Sequence, residues 1–280
     1  EIMPSLVGSE MCIRDSLYKH TFGGGYMINY LVSVGYDGSC YHGWQIQKNA
    51  ITVQQVFQLA LEKLFREKID IKGCSRTDSG VHANMYCVSF KSEKEIPCAN
   101  VVSGLNTYLP KDIAAFDCRI VPPDFHARYS VHSKEYVYRV YNGKIRNPFL
   151  QKYAFHYKYP IDAEYLDKEA KAFIGTHDFA AFCSANSKVE STVRTVYDFR
   201  VEREGDEVRF IVSANGFLYN MVRIMVGSLL FVNEGKIKSG GLAEVIKSKS
   251  RTRAGKTAPP QGLYPVSYTH LRAHETRHDL

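Results

Sequence analysis

The chain holds a single tryptophan, Trp44, in 280 residues, and no two cysteines have the Cys-x-x-Cys spacing of a zinc ribbon or dithiol centre. Between residues 27 and 264 stand Cys40, Cys74, Cys87, Cys98, Cys118 and Cys183. A chain this long builds its core without staples, so idle thiols in a reducing compartment are expected rather than disulfides. No apolar run reaches the roughly 18 residues of a spanning helix, so no membrane segment is expected. No charged-then-apolar leader of the secretory kind precedes Met27, which points to a cytoplasmic protein. A phosphate loop is also missing. Gly255-Lys256-Thr257 has Ser250 where the earlier glycine is required, and Ala258-Pro259-Pro260 stands where the helix would begin.

What is present is a moderate excess of positive charge, 36 Lys and Arg against 29 Asp and Glu, for a formal net charge of +7. Residues 1–26 carry one net negative charge (Glu1, Glu10 and Asp15 against Arg14 and Lys19) and residues 265–280 balance, leaving about +8 for the stretch between. Such a surface suits a polyanion, and plain solubility explains it as well.

Periodicity divides the chain into two similar α+β halves, 27–127 and 128–264. Ile28–Val34 reads as a strand, and Asp37-Gly38 as a turn. Thr52–Phe65 reads as a helix: Thr52 and Gln55 form a capping box, and Val53, Val56, Phe57, Ala60, Leu61 and Leu64 fall on one stripe. Strands are expected near residues 69–72, 84–90 and 113–121, with a helix begun by Pro97. In the second half a strand is expected over 133–141. A helix capped by Asp162 and ended by Gly175 follows, then a hairpin over 193–201 and 208–214 turning at Gly205-Asp206. The apolar run Phe217–Val232 reads as a buried helix. The fold class is therefore α+β, two domains each with an antiparallel-rich mixed sheet and helices on one face.

Between the second and third of these strands lies Arg76-Thr77-Asp78-Ser79-Gly80-Val81-His82-Ala83. It places an arginine, a carboxylate and a glycine turn where a rigid scaffold presents reactive groups. Asp-Ser-Gly is also ordinary turn chemistry, so spacing alone leaves both readings open. Together with its neighbours the segment carries more. Gly73–Ala83 resembles the active-site motif of the TruA-type tRNA pseudouridine synthases, which usually reads Gly-Ala-Gly-Arg-Thr-Asp-Ala-Gly-Val-His-Ala. Cys74, Ser75 and Ser79 depart from it. Family-like runs continue in order: Tyr36-Asp37-Gly38, Gly43-Trp44-Gln45, Thr52-Val53-Gln54, Asp124–Arg128, Tyr136-Val137-Tyr138, Gly175–Phe179, Asn215-Gly216-Phe217, Met221-Val222-Arg223, Val226-Gly227-Ser228, Ala258-Pro259-Pro260 and Gly262-Leu263-Tyr264. They cover about residues 27–264. Residues 1–16 and 265–279 instead resemble translated sequencing adapter, so 1–26 and 265–280 are expected to lie outside the domain, with Met27 as the start. His270, His274 and His278 fall in that tail, and no metal site is expected there.

The resemblance implies an isomerase that converts uridine to pseudouridine at positions 38–40 of the tRNA anticodon stem-loop, in a basic cleft between two domains of a homodimer. It needs no cofactor or metal. Asp78 matches the nucleophile, Arg223 its pairing arginine, and Tyr136 the active-site tyrosine that stacks on the displaced base. Arg76 matches the residue that holds the flipped nucleotide, with His82 and Arg128 as further substrate contacts. Each has a plainer reading. Arg223 could be a helix-end arginine reaching solvent, though an unpaired charge in an apolar helix is costly. Tyr136 shares a strand face with Tyr138 and Val140 and could be core. His82 could be structural, and Trp44 a packing anchor rather than a stacking platform. Arg128, Lys134, Arg139, Lys144 and Arg146, mixed with tyrosines, suit phosphate contacts or a solvated strand face. The rival function is a non-catalytic RNA-binding or chaperone protein on the same scaffold. In either case affinity for RNA should fall with added salt.

Overall fold

The structure is a computed structural model in which residues 27–184 and 189–270 are described. The first half builds one antiparallel sheet from β1 (Ile28–Tyr36), β2 (Ile71–Gly73), β3 (Ala83–Ser92) and β4 (Ile113–Val121), in the order β2-β3-β1-β4. Two helices accompany it, α1 (Val53–Phe65) and α2 (Cys98–Tyr108). The Thr52 hydroxyl accepts from Gln55 N–H at 3.4 Å, which supplies the forward half of the expected capping box. From the expected stripe, Val53, Phe57, Ala60 and Leu61 are buried, while Val56 and Leu64 are partly so. Burial of side chains such as Phe57 and Leu61 stabilises the fold by roughly 1.5–3 kcal/mol each.

The second half is larger. β5 (Val131–Tyr141), β7 (Gly175–Asp178), β8 (Val193–Glu204), β9 (Glu207–Ala214) and β10 (Leu263–His270) pair in the order β10-β5-β9-β8-β7, and the two-residue β6 (Phe155–His156) runs parallel to β5. The β8–β9 hairpin turns where expected, with Gly205 at φ 58°. α3 (Ala163–Ala170) is capped by Asp162, whose carboxylate accepts from Tyr165 N–H at 2.9 Å. A 3-10 turn carries the chain on to Gly175, which opens β7.

α4 (Met221–Asn233) buries ten of its thirteen residues and is the centre of the second core. It begins four residues later than Phe217, because Asn220 adopts the left-handed conformation (φ 61°, ψ 9°) and cannot continue a right-handed helix. α5 (Leu242–Ser248) and β6 were not anticipated; both are too short to give a periodic signal.

A further difference is that β10 runs through His270, beyond the boundary set at residue 264. Ser267, Tyr268 and Thr269 pair with Glu135, Lys134 and Ser133 of β5, and Tyr268 is buried. The stretch PVSYTH alternates enough to serve as a sheet edge. Pro265, which has no N–H to donate, sits beside a register shift on that edge, where proline is tolerated. Residues 1–26, with the adapter-like leader, and His274 and His278 lie outside the described residues.

Each sheet has its own core, and the two interlock. Val81, at the end of the motif loop, is buried in the second core, while Ala127 and Tyr268 are buried in the first. The segment joining β2 to β3 therefore lies in the seam between the halves.

Candidate active site

The motif loop is pinned from beneath by its own backbone and by residues from the turn after β1. Trp44 N–H donates to Thr77 O at 3.1 Å, and Gly80 N–H donates to Tyr41 O at 3.2 Å. The buried hydroxyls of Tyr36 and Thr77 meet at 2.9 Å. Gly43 has φ 79°, and a Cβ there would overlap the Thr77 carbonyl, so glycine is required on both counts. Trp44 itself is buried against Tyr86, ring centroids 4.1 Å apart, which makes it an anchor of this loop rather than a stacking platform. With Thr77 held inward, Arg76 on one side of it is exposed and Asp78 on the other is partly buried.

Asp78 meets Arg223 across the seam, Oδ2 to Nη1 at 3.2 Å. Arg223 is only 13 % exposed, so it does not reach solvent. Its orientation is fixed twice more: Nη1 donates to Asn220 Oδ1 at 2.7 Å, and Nε donates to Ala258 O at 2.7 Å. Ala258 N–H returns a bond to Arg223 O at 3.1 Å. Sequence reasoning missed Asn220 and the Ala258 carbonyl. Asparagine is enriched at positive φ among non-glycine residues, and that was the available signal for Asn220.

Burial raises the Asp78 carboxyl above its usual value, and the charge and hydrogen bond of Arg223 bring it only part of the way back. The guanidinium therefore offsets, without cancelling, the cost of keeping an anion in the seam.

Tyr136 is 6 % exposed and lies beside the same loop. Its hydroxyl donates to Ser75 Oγ at 3.3 Å, and its ring meets Phe217 edge-to-face at 4.9 Å. Burial pushes its phenol up to about 12, with the Asp78 charge a smaller contributor. Ser75 Oγ also meets the Tyr268 hydroxyl at 2.9 Å, so a residue expected to lie outside the domain stands one bond from Tyr136. Lys134, next on the same strand face, donates to Cys74 O at 2.8 Å and fixes the start of the loop.

The other candidates separate. His82 is 1 % exposed, and both ring nitrogens are engaged within the protein. Nε2 donates to Lys152 O at 2.8 Å and Nδ1 accepts from Gly38 N–H at 3.2 Å, an assignment that follows from the network. Its ring stacks on Tyr264 at 4.9 Å, and burial lowers it from the usual histidine value, the neighbouring Asp37 carboxylate notwithstanding. The expectation that His82 touches substrate is therefore corrected: an enclosed ring with both nitrogens occupied ties the two halves together. Arg128 is exposed, its guanidinium 5.8 Å from the centre of the Tyr129 ring. Of the basic run, Arg139 is taken up by Glu207 at 2.8 Å, whereas Lys144 and Arg146 are exposed. Among the described residues no group of three or more His, Cys, Asp or Glu side chains is placed to hold a metal ion.

The fold and site together define a two-sheet α+β protein that holds a charge-paired carboxylate in the seam between related halves. Comparison with known sequences carries this further. The family described as tRNA pseudouridine synthase matches residues 32–130 and again 170–269, one match in each half. A protein of Thermoanaerobacter sp. (strain X514) named tRNA pseudouridine synthase A is 48 % identical over 240 residues, covering 86 % of this chain and 98 % of its own. One of Acetivibrio thermocellus with the same name is 44 % identical over 240 residues, with the same coverage. The chain belongs to the tRNA pseudouridine synthase family.

Proposed function

We propose that the protein isomerises uridine to pseudouridine in tRNA, at positions 38–40 of the anticodon stem-loop, with Asp78 as the attacking group. The reaction breaks the N-glycosidic bond and re-forms it through carbon 5 of the ring, with no net oxidation or reduction. A carboxylate that attacks must be ionised when the base arrives. The observation that carries the reading is the 3.2 Å ion pair of Asp78 with Arg223, which joins the two halves at the motif loop. Arg76, exposed and without a hydrogen bond or ion pair to any described residue, is free to prop an extruded nucleotide, whose unstacking costs a few kcal/mol. Tyr136 supplies a ring beside the loop. No observation favours the non-catalytic alternative.

We also infer a cytoplasmic location, from tRNA as substrate, and a homodimer. Phe116 and Ile120, exposed on the edge strand β4, support the second inference.

Tritium release from tRNA labelled at uridine carbon 5 tests the reaction, and primer-extension mapping tests the positions. Release with product at 38–40 is expected. No release from the wild-type protein would leave the binding protein as the better reading.

The rate should also report the Asp78 environment. Because the carboxyl is raised, the acid limb of kcat/KM is expected at higher pH than an ordinary aspartate would give, activity rising with pH as the proton leaves. Arg223→Gln removes the charge that lowers it, so the limb should move to still higher pH, and Arg223→Lys should move it less. A limb unchanged between wild type and Arg223→Gln would remove Arg223 from this role.

A further inference from the structure

A cavity of about 230 Å³ is lined in part by Pro259 and Gln261, from the segment whose Ala258 carbonyl holds Arg223. The rings of Tyr141, Phe155 and His156 are also among its lining residues. At its rim Arg146, Gln151 and Gln261 carry side chains that make no hydrogen bond or ion pair with any described residue. Aromatic walls with unpaired amides and a guanidinium match what an unstacked nucleobase needs: faces to stack on, both donors and acceptors for its edge, and a cation for its phosphate. The cavity is smaller than the roughly 300–1,000 Å³ sites that engulf drug-sized ligands, which suits a single planar ring.

The surroundings select a polyanion. From Asn142 to Ile161 the chain carries Lys144, Arg146, Lys152 and Lys158 and no Asp or Glu. All four cations are exposed, as are the rings of Phe149 (85 %) and Tyr159 (55 %). Basic and aromatic groups interleaved on an exposed loop form the surface that single-stranded RNA binds.

The cavity is also coupled by position to the carboxylate. Pro260 packs against Gly80, two residues from Asp78, and the Ala258 carbonyl holds Arg223. Tyr138 fixes the segment between them by donating to Pro259 O at 2.7 Å.

We propose that this cavity receives a second nucleobase of the same tRNA, unstacked from its loop, and so sets the register of the RNA against Asp78. The proposal rests on tRNA as the substrate. Its test uses binding, which does not require turnover. Dissociation constants are measured for the full chain with intact tRNA and with a set lacking one base at each anticodon-loop position outside 38–40. For the wild type, loss of one particular base is expected to weaken binding roughly tenfold, the scale of one stacked base. The Gln151→Ala/Gln261→Ala protein should bind intact tRNA weakly by a similar factor, with no further loss when that base is absent. Its thermal transition should lie close to that of the wild type, since Gln151 is exposed, Gln261 is only partly buried, and neither side chain bonds to a described residue. The proposal is overturned if no base matters, if the two losses multiply, or if the double variant binds intact tRNA as the wild type does. It is overturned equally if free nucleoside monophosphates compete for the cavity while every base-deleted tRNA binds normally. Tritium release by the wild type, run alongside, separates a failure here from a failure of the isomerase reading.

Discussion

An Asp78→Asn protein is expected to bind tRNA about as tightly as the wild type and to lose turnover by on the order of 10⁴-fold or more, the scale on which removing a covalent nucleophile acts. The amide keeps the shape of the carboxylate and can still accept from Arg223, so the seam should stay closed. It has no charge to attack with. The same substitution should not destabilise the protein near neutral pH. Asp78 is raised in the folded state, so the folded protein holds its proton to higher pH than the unfolded chain does. Its contribution to stability is fully present below the unfolded carboxylate value and is lost as pH rises through the raised folded value. At neutral pH the ionised side chain is thus a cost to folding, which the neutral amide avoids. Tritium release and a thermal melt at two pH values check both halves. An Asp78→Asn protein that retains a tenth of wild-type turnover would remove Asp78 as the attacking group, whatever the melt shows.

That trade between stability and charge explains which parts of the site could be read from sequence. Asp78, Arg76 and Tyr136 could be singled out as candidates only through the resemblance of their segments to the family's, spacing alone leaving a turn and a core strand as good readings, whereas Arg223 also drew notice because a charge within an apolar run demands a partner. What holds them is not legible. Asn220 holds Arg223 with its side-chain oxygen, presented from a left-handed backbone to which its residue type is only a general pointer, and Ala258 acts through a main-chain carbonyl, which leaves no pattern in residue types. His82 was misplaced for a related reason. It belongs to the motif, but its two nitrogens are satisfied by Gly38 and Lys152, 44 and 70 residues away.

The fold divides in the same way. α1 and the β8–β9 hairpin follow from local periodicity and capping. The edge strand β10 does not, because Tyr268 owes its place to Lys134 and Ser75 of distant segments. Treating residues 265–270 as outside the domain followed their resemblance to adapter, whereas pairing with β5 depends only on alternation and an available edge.

The rejected phosphate-loop candidate has a structural explanation, and the other large effect is expected there. Gly255-Lys256-Thr257 crosses α4 at Gly227, backbone against backbone. A Cβ on Gly227 would fall on the Lys256 carbonyl oxygen, and one on Gly255 would overlap the Gly227 carbonyl. The crossing is fastened by Gly255 N–H donating to Ser228 Oγ at 2.8 Å, and Ser228 in turn donates to Ile224 O at 2.8 Å. Two residues beyond Lys256 the same segment delivers the Ala258 carbonyl to Arg223. Gly227→Ala therefore has no flexible side chain to displace. It must push a strap of main chain off the central helix of the second core. Overpacking typically costs 1–3 kcal/mol, and a clash with backbone belongs at the upper end, about 3 kcal/mol. For a domain of this size that lowers Tm by roughly 6–12 °C. Because the displaced strap also carries the Arg223 contact, turnover should fall at temperatures where the protein is still folded, and the acid limb should shift as it does in Arg223→Gln. A Gly227→Ala protein that melts within about 2 °C of the wild type would show that the strap can move away freely, and Ala258 could then no longer be regarded as the fixed support of the Asp78–Arg223 pair.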